Sequence, residues 1–327
     1  MFVRIISYFL VITILFLALF FIFAQQPKPH YLNTNTISYC DPSGSAYFLN
    51  HHEVLRNDHN KIIIMGPSNA LKSFDVDYLN NKYPDFQFHN ISINSSNMSQ
   101  LSLTLDVLKA LHEEKKLNVD YIVLGISWGV FIDKKLRWPS GQTPLEQELS
   151  KYNYFTYNGD KLTHNYSAET EHNLSVFSEP FRCLTGSVRT AINNTKNAFK
   201  DVTGKKTIHV AKQKLQMWEQ VFPAKKESFI HELQLLNTFL KDVKQMNITP
   251  IIIDMPASEH VYKYSNLDAI YSDLIESFAA SNKQEYVNWR NHSNNLELPD
   301  LIHPTKKDAI YLSDFLIDEI KRKVEEK

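Results

Sequence analysis

Glycine and cysteine are scarce in this chain. Eight glycines and 13 prolines among 327 residues exclude a collagen-like, fibrous or low-complexity polymer. Two cysteines, Cys40 and Cys183, are too few for a structural zinc framework. They suffice for one disulfide in an oxidising compartment and would serve equally as two free thiols. Neither sign of charge is in excess. A formal net charge of -1 excludes the basic footprint of a nucleic-acid binder. No metal-ligand spacing, nucleotide loop or nicotinamide fingerprint occurs, so no metal or cofactor is expected. With 43% hydrophobic residues, the chain has material for one large domain or two small ones.

What is abundant appears first at the N-terminus. From Ile5 to Ala24 no residue is charged, and the run has about the twenty residues a helix needs to cross a bilayer. A cleaved signal peptide usually has a shorter apolar region, and Ile22 is a poor match for a small-residue cleavage site at Ala24. Residues 1–25 therefore read as an uncleaved single-pass membrane anchor. Arg4 and the terminal amine place its start in the cytoplasm and the rest of the chain outside it. Residues 26–58 read as a juxtamembrane stalk.

Beyond the stalk, apolar runs alternate with amphipathic helices. Strands are expected at Ile62–Met65, in "FQFHNIS" from Phe86, in "VDYIVLGIS" from Val119, in "ITPIIIDMP" and in "EYVNW" from Glu285. Helical spacing links Leu101, Leu105, Leu108 and Leu111, then Phe229, Leu233, Leu236, Leu240 and Val243, then Leu267, Ile270, Leu274 and Phe278, and last Leu312, Leu316 and Ile320. Alternation of this kind predicts an α/β fold, a three-layer α/β/α domain on a parallel sheet, with functional groups at the carboxyl ends of the strands. The alternation fails between about 133 and 226. That segment, with one good helix through Ala211, Leu215, Trp218 and Phe222, reads as an insertion above the active edge.

Two short stretches bear chemistry. In "KIIIMGPSNALKS", Gly66 and Pro67 break a strand and put Ser68 at a strand-to-helix turn. Such a turn suits a nucleophile and suits a helix N-cap equally. Near the C-terminus, "LPDLIHPTKKDAIYL" holds Asp300 and His303 three apart, just before the last helix. A serine–imidazole pair needs a carboxylate to hold the tautomer, and a tight turn can bring Asp300 to the ring. Thr305 and Asp308 resemble a capping box behind it. Asp254, at the end of the fourth strand, is a competing carboxylate whose blander role is a local hydrogen bond before Pro256. Trp128 and Trp138 are candidates for stacking on a sugar ring.

"MGPSNA" after the first strand and "DLIHPT" before the last helix resemble the SGNH (GDSL-like) hydrolase superfamily over roughly residues 59–327, the insertion apart. The resemblance implies a flavodoxin-like sheet, with Ser68 as nucleophile, His303 as general acid/base and Asp300 as its orienting partner. Two blocks depart from the family pattern. Where glycines of the second block would stand, the chain has "HNISINSSNMS". In the third block, Ser127 follows "LGI" where the family has asparagine. The resemblance then leaves Ser68, Asn94, Ser95 and Ser127 as candidate oxyanion donors, and each missing donor costs about a hundred- to a thousandfold in rate.

With its anchor, the chain resembles the membrane-bound SGNH-like proteins of envelope-polymer acylation, such as the lipoteichoic-acid D-alanylation and alginate O-acetylation subunits. That resemblance implies a multi-pass membrane acyltransferase partner of the MBOAT kind and an extracytoplasmic glycan or polyol polymer as acceptor. The same triad in an esterase would use water. A third expectation is a non-catalytic domain that binds polymer or scaffolds a complex.

Overall fold

The computed structural model describes Tyr8, Thr13 and residues 61–113, 118–143, 145–147, 155–158, 161–164, 207–222, 226–283 and 285–325. The expected anchor, the stalk, Cys40, Cys183 and most of the insertion lie outside the described residues. Among the described residues no helix is long and apolar enough to cross a membrane.

Five parallel strands form one sheet. They are β1 (Lys61–Met65), β2 (Gln87–Asn90), β3 (Val119–Ile126), β6 (Thr249–Asp254) and β7 (Tyr286–Asn288), in the order β2-β1-β3-β6-β7. The order reverses direction at β1, so the carboxyl ends of β1 and β3 form the switch point, the place where doubly wound sheets bind ligands. The central strands are apolar on both faces because both faces are covered. Ile63, Met65, Ile122, Leu124 and Ile252 pack into one cluster, Ile62, Ile64, Tyr121, Val123, Ile251 and Ile253 into another.

Helices complete both layers. The first layer contains α3 (Met98–Glu113), α6 (Lys226–Gln245) and α8 (Asn266–Ser281), whose Leu101, Leu105, Leu236, Leu240 and Phe278 join the first cluster. The second contains α1 (Ser68–Ser73), α2 (Val76–Lys82) and α9 (Lys306–Glu325), which contribute Ala70, Leu79, Leu312, Leu316 and Ile320. Each fully buried Leu or Ile contributes about 1.5–3 kcal/mol. Both clusters lie against the sheet, so its strand ends form a firm platform. The periodicities of Leu101, Leu236 and Leu312 thus mark the faces that pack, while the side chain of Leu111 lies outside the described residues.

Of the insertion, the structure describes the short α4 (Lys134–Arg137), α5 (Thr207–Val221) and an antiparallel pair, β4 (Phe155–Asn158) with β5 (Lys161–His164). The pair was not expected from the Tyr/Asn-rich run that contains it. Its sequence signal is the Asn158-Gly159-Asp160-Lys161 connection, a turn-prone spacing between two short runs. A further short helix, α7 (Glu259–Tyr264), follows β6.

Candidate active site

Close backbone packing places Ser68. A Cβ on Gly66 would stand 2.5 Å from the Ala70 Cβ and 2.7 Å from the Gly125 carbonyl oxygen, and Gly66 has φ +155°. On Gly125 it would stand 2.7 Å from the same Ala70 Cβ. Only glycine at both strand ends lets α1 sit directly on β1 and β3. Pro67 is the N-cap of α1 and supplies no side-chain cap, so Ser68 lies one residue inside the helix and its hydroxyl is not a cap. Asn90 Nδ2 donates to the Ala70 carbonyl at 3.3 Å and ties this helix to β2.

The imidazole arrives from the other end of the chain. His303 Nε2 lies 2.9 Å from Ser68 Oγ, and His303 Nδ1 lies 2.6 Å from Asp300 Oδ2. A carboxylate can only accept, so the proton belongs on Nδ1, and Nε2 is left to accept from the serine hydroxyl. The Asp300 turn is short because its Oδ1 accepts from the His303 backbone N–H at 2.9 Å. Between them Leu301 takes φ +83°, a left-handed conformation that costs a leucine about 1–3 kcal/mol. It is held there by burial of its side chain and by the Ser258 N–H, which donates to its carbonyl at 2.8 Å. Behind the turn, the Thr305 hydroxyl donates to Asp308 Oδ2 at 2.6 Å and accepts from the Asp308 N–H at 3.3 Å, the expected cap of α9. The side chains of His303 and Asp300 remain 28% and 39% exposed.

The loops after β2 and β3 flank Ser68. The Ile93 N–H and the Ser96 hydroxyl both donate to the Gly66 carbonyl, at 2.9 and 3.0 Å, and hold the β2 loop beside the serine turn. In that loop Ser92 N–H is engaged by Asn90 Oδ1 at 3.1 Å, whereas Ser95 is exposed and has φ +61°. The Ser95 N–H has no hydrogen-bond partner among the described residues. Asn94 is half-buried beside it. On the β3 side, half-buried Ser127 begins a 3-10 turn, Trp128–Phe131, without capping it through its hydroxyl. Trp128 is only 6% exposed and packs on Trp218, ring centroids 5.2 Å apart, so its ring is part of the core and offers a sugar little surface. Trp138 is half-buried at the end of α4.

Asp254, the competing carboxylate, is hydrogen-bonded to Tyr286 instead of to His303. It is fully buried at the end of β6 and accepts from the Tyr286 hydroxyl at 2.7 Å. Burial pushes its carboxyl up to about 6, against the pull of Arg290 and the Tyr271 and Tyr286 hydroxyls. Arg290 is itself bound to buried Asp268 through Nη1 and Nη2, at 3.1 and 2.6 Å. The sequence carried no sign of this buried acid–tyrosine–arginine group, nor of Arg137, whose side chain crosses between the β2 and β3 loops. Both depend on residues far apart in the chain.

The arrangement Asp300–His303–Ser68 can lower the cost of removing the serine proton while its oxygen attacks an acyl carbon. An acyl oxygen that becomes negative in such a step needs hydrogen-bond donors, and the Ser95 N–H, in the loop beside the serine turn, is one without a partner among the described residues. Among the described residues no cluster of histidine, cysteine and carboxylate side chains is arranged to hold a metal. No protein-family profile matches the chain, and no curated protein sequence matches it significantly.

Proposed function

We propose that this chain is a serine acyl-transfer enzyme of the SGNH type, anchored in the membrane and acting outside it on a glycan or polyol polymer of the cell envelope. The observation that carries the reading is the continuous hydrogen-bonded line from Asp300 through His303 to Ser68, at 2.6 and 2.9 Å. In the first half-reaction Ser68 Oγ attacks the acyl carbon of the donor and its proton passes to His303 Nε2. The new imidazolium is stabilised by Asp300, and the proton goes on to the leaving group. In the second half, a sugar or polyol hydroxyl gives its proton to His303 and takes the acyl group, and Ser68 recovers its hydrogen.

The uncharged run from Ile5 to Ala24 supports the anchor, and the anchor supports a multi-pass MBOAT-like partner that brings the acyl group across the membrane. The "MGPSNA" and "DLIHPT" motifs and the strand order β2-β1-β3-β6-β7 support the SGNH assignment. A second reading, an extracytoplasmic carbohydrate esterase, is favoured by the solvent access of His303 and Asp300, because water is the acceptor that needs no binding site.

A fluorophosphonate probe applied to the full-length protein in detergent micelles tests the proposal. Peptide mass spectrometry should place the adduct on Ser68, and both Ser68→Ala and His303→Ala should abolish it. An unlabelled Ser68, with the membrane partner co-expressed as well as without it, would leave the non-catalytic scaffold as the better description. Acyl release measured with and without added glycan then separates transferase from esterase.

A further inference from the structure

Arg137 joins three pieces of the molecule that the sequence keeps apart. It ends α4, the first helix of the insertion. Its Nη1 donates to the Ser95 carbonyl at 2.8 Å and its Nη2 to the Gly129 carbonyl at 2.6 Å. Its guanidinium carbon lies 5.3 Å from the ring centroid of Phe222, just beyond the end of α5. In the order β2-β1-β3 the Ser95 and Gly129 loops stand on opposite sides of the Ser68 turn. The guanidinium therefore links the two loops that flank the point where the sheet order reverses.

A deeper tie runs between the same two loops. Asn97 Nδ2 donates to the Ile132 carbonyl at 3.0 Å and to Glu232 Oε1 at 3.2 Å, and Glu232 also accepts from the Ser99 N–H at 2.9 Å. Asn97, Ile132 and Glu232 are buried, and the tie seats the first turn of α3. The Arg137 tie is the outer one, and it holds Ser95, whose own N–H has no partner among the described residues, together with Gly129. One of its anchors, Ser95, sits at φ +61°, a conformation a serine does not hold without support. The other, Gly129, lies two residues after Ser127. Burial lowers the Arg137 pKa to about 10, with Glu232 opposing the fall, so the guanidinium stays charged at neutral pH.

We propose that Arg137 is a positioning residue for the acyl site: by binding the Ser95 and Gly129 carbonyls across the Ser68 turn, it aims the Ser95 N–H and Ser127 at the acyl oxygen and couples the insertion to that geometry. This rests on the acyl-transfer reading of Ser68. It accounts for how a site without the glycine and asparagine of the family pattern keeps a defined set of donors. A planar guanidinium with two parallel donors can hold both carbonyls at once, and an ammonium can hold them only as a point charge.

The test uses the full-length protein in detergent micelles with Arg137→Gln and Arg137→Lys. Hydrogen–deuterium exchange should rise in both the 91–97 and the 126–132 segments of Arg137→Gln, while β1 and β6 keep their protection. Fluorophosphonate labelling of Ser68 should slow about a hundredfold, the loss expected for misplaced oxyanion donors. The pH midpoint of labelling should stay that of the wild type, since Asp300 and His303 are untouched. Added ethylguanidinium should restore part of the rate, and Arg137→Lys should fall between the two. If Arg137→Gln exchanges fast throughout, Arg137→Lys takes its place in both measurements. Unchanged exchange in either loop, or labelling at the wild-type rate, overturns the positioning role alone. A wild-type chain that does not label overturns the acyl-transfer reading and this role with it.

Discussion

Two aspartates stand at the carboxyl edge of the sheet, and they differ in everything except their chemistry. Asp254 ends β6, is fully buried, and is bound by the Tyr286 hydroxyl beside Arg290. Asp300 lies in the loop before α9, has a side chain 39% exposed, and has both oxygens on His303, one at the ring and one at the backbone. A place at the active edge therefore does not make a carboxylate a partner in proton transfer. Asp300 faces an imidazole and solvent, whereas Asp254 faces neither, and burial raises its carboxyl to about 6.

The comparison breaks most directly by exchanging each acid for its amide. Asp300→Asn keeps an acceptor for the His303 backbone N–H and offers an NH2 group to Nδ1, which forces the proton onto Nε2, the wrong tautomer. Labelling of Ser68 by fluorophosphonate should fall about a thousand- to ten-thousandfold with little change in melting temperature. A rate within tenfold of the wild type, by the order-of-magnitude scale of such losses, would separate Asp300 from the chemistry.

Asp254→Asn should do the reverse, leaving labelling near the wild-type rate and changing how stability depends on pH. The folded pKa, about 6, lies above the ordinary 3.8, so the folded state holds a proton that the unfolded chain has lost. Stability from this group is present below pH 3.8 and declines as pH rises to 6, a loss of about 3 kcal/mol at most. Buried His89 acts in the opposite sense. Burial, aided by nearby Lys61, lowers it to about 3, so its contribution is lost as pH falls from 6.5. The two slopes oppose each other between pH 4 and 6. Removing the Asp254 charge should make the melting temperature climb more steeply with pH across that window. Parallel curves for the two proteins would show that Asp254 titrates normally.

Gly125→Ala sharpens the contrast on the Ser68 side, which backbone contact holds. Its Cβ would meet the Ala70 Cβ at 2.7 Å and the Met255 Sδ at 3.1 Å, so α1 must lift from the sheet. A stability loss of about 1–3 kcal/mol in denaturant titration, with slower labelling of Ser68, is expected. The smallest effect belongs to Tyr286→Phe. Losing the hydroxyl that stabilises the Asp254 carboxylate should cost about 1–2 kcal/mol at pH 7 and less at pH 4, where the acid is protonated. An equal cost at both values would mean that the ring, and not the hydrogen bond, supports that corner.

Much of this was legible in the linear chain, for a physical reason that differs by element. Leu101, Leu236 and Leu312 announce helices because a periodic apolar face has one way to be buried. Runs such as Ile62–Met65 announce strands covered on both sides. Ser68 and the Asp300–His303 pair were visible because a strand break and a pre-helical turn leave local signals. The β4–β5 pair was missed where aromatic and polar residues blurred the alternation. Trp128 shows the limit from another direction, since a tryptophan near the active edge looks the same in sequence whether it faces a ligand or Trp218.

By itself, the sequence determined most of the helices and strands, and which few residues stand at a strand break or a pre-helical turn, because those properties depend on neighbours within a turn or two. Only the tertiary structure decided that Ser68 and His303, 235 positions apart, come within 2.9 Å, that Arg137 reaches both flanking loops, and that Asp254 is walled in while Asp300 is not. Those outcomes follow from the strand order and from close packing across Gly66, Ala70 and Gly125. Both are properties of the assembled sheet that no stretch of the chain carries alone.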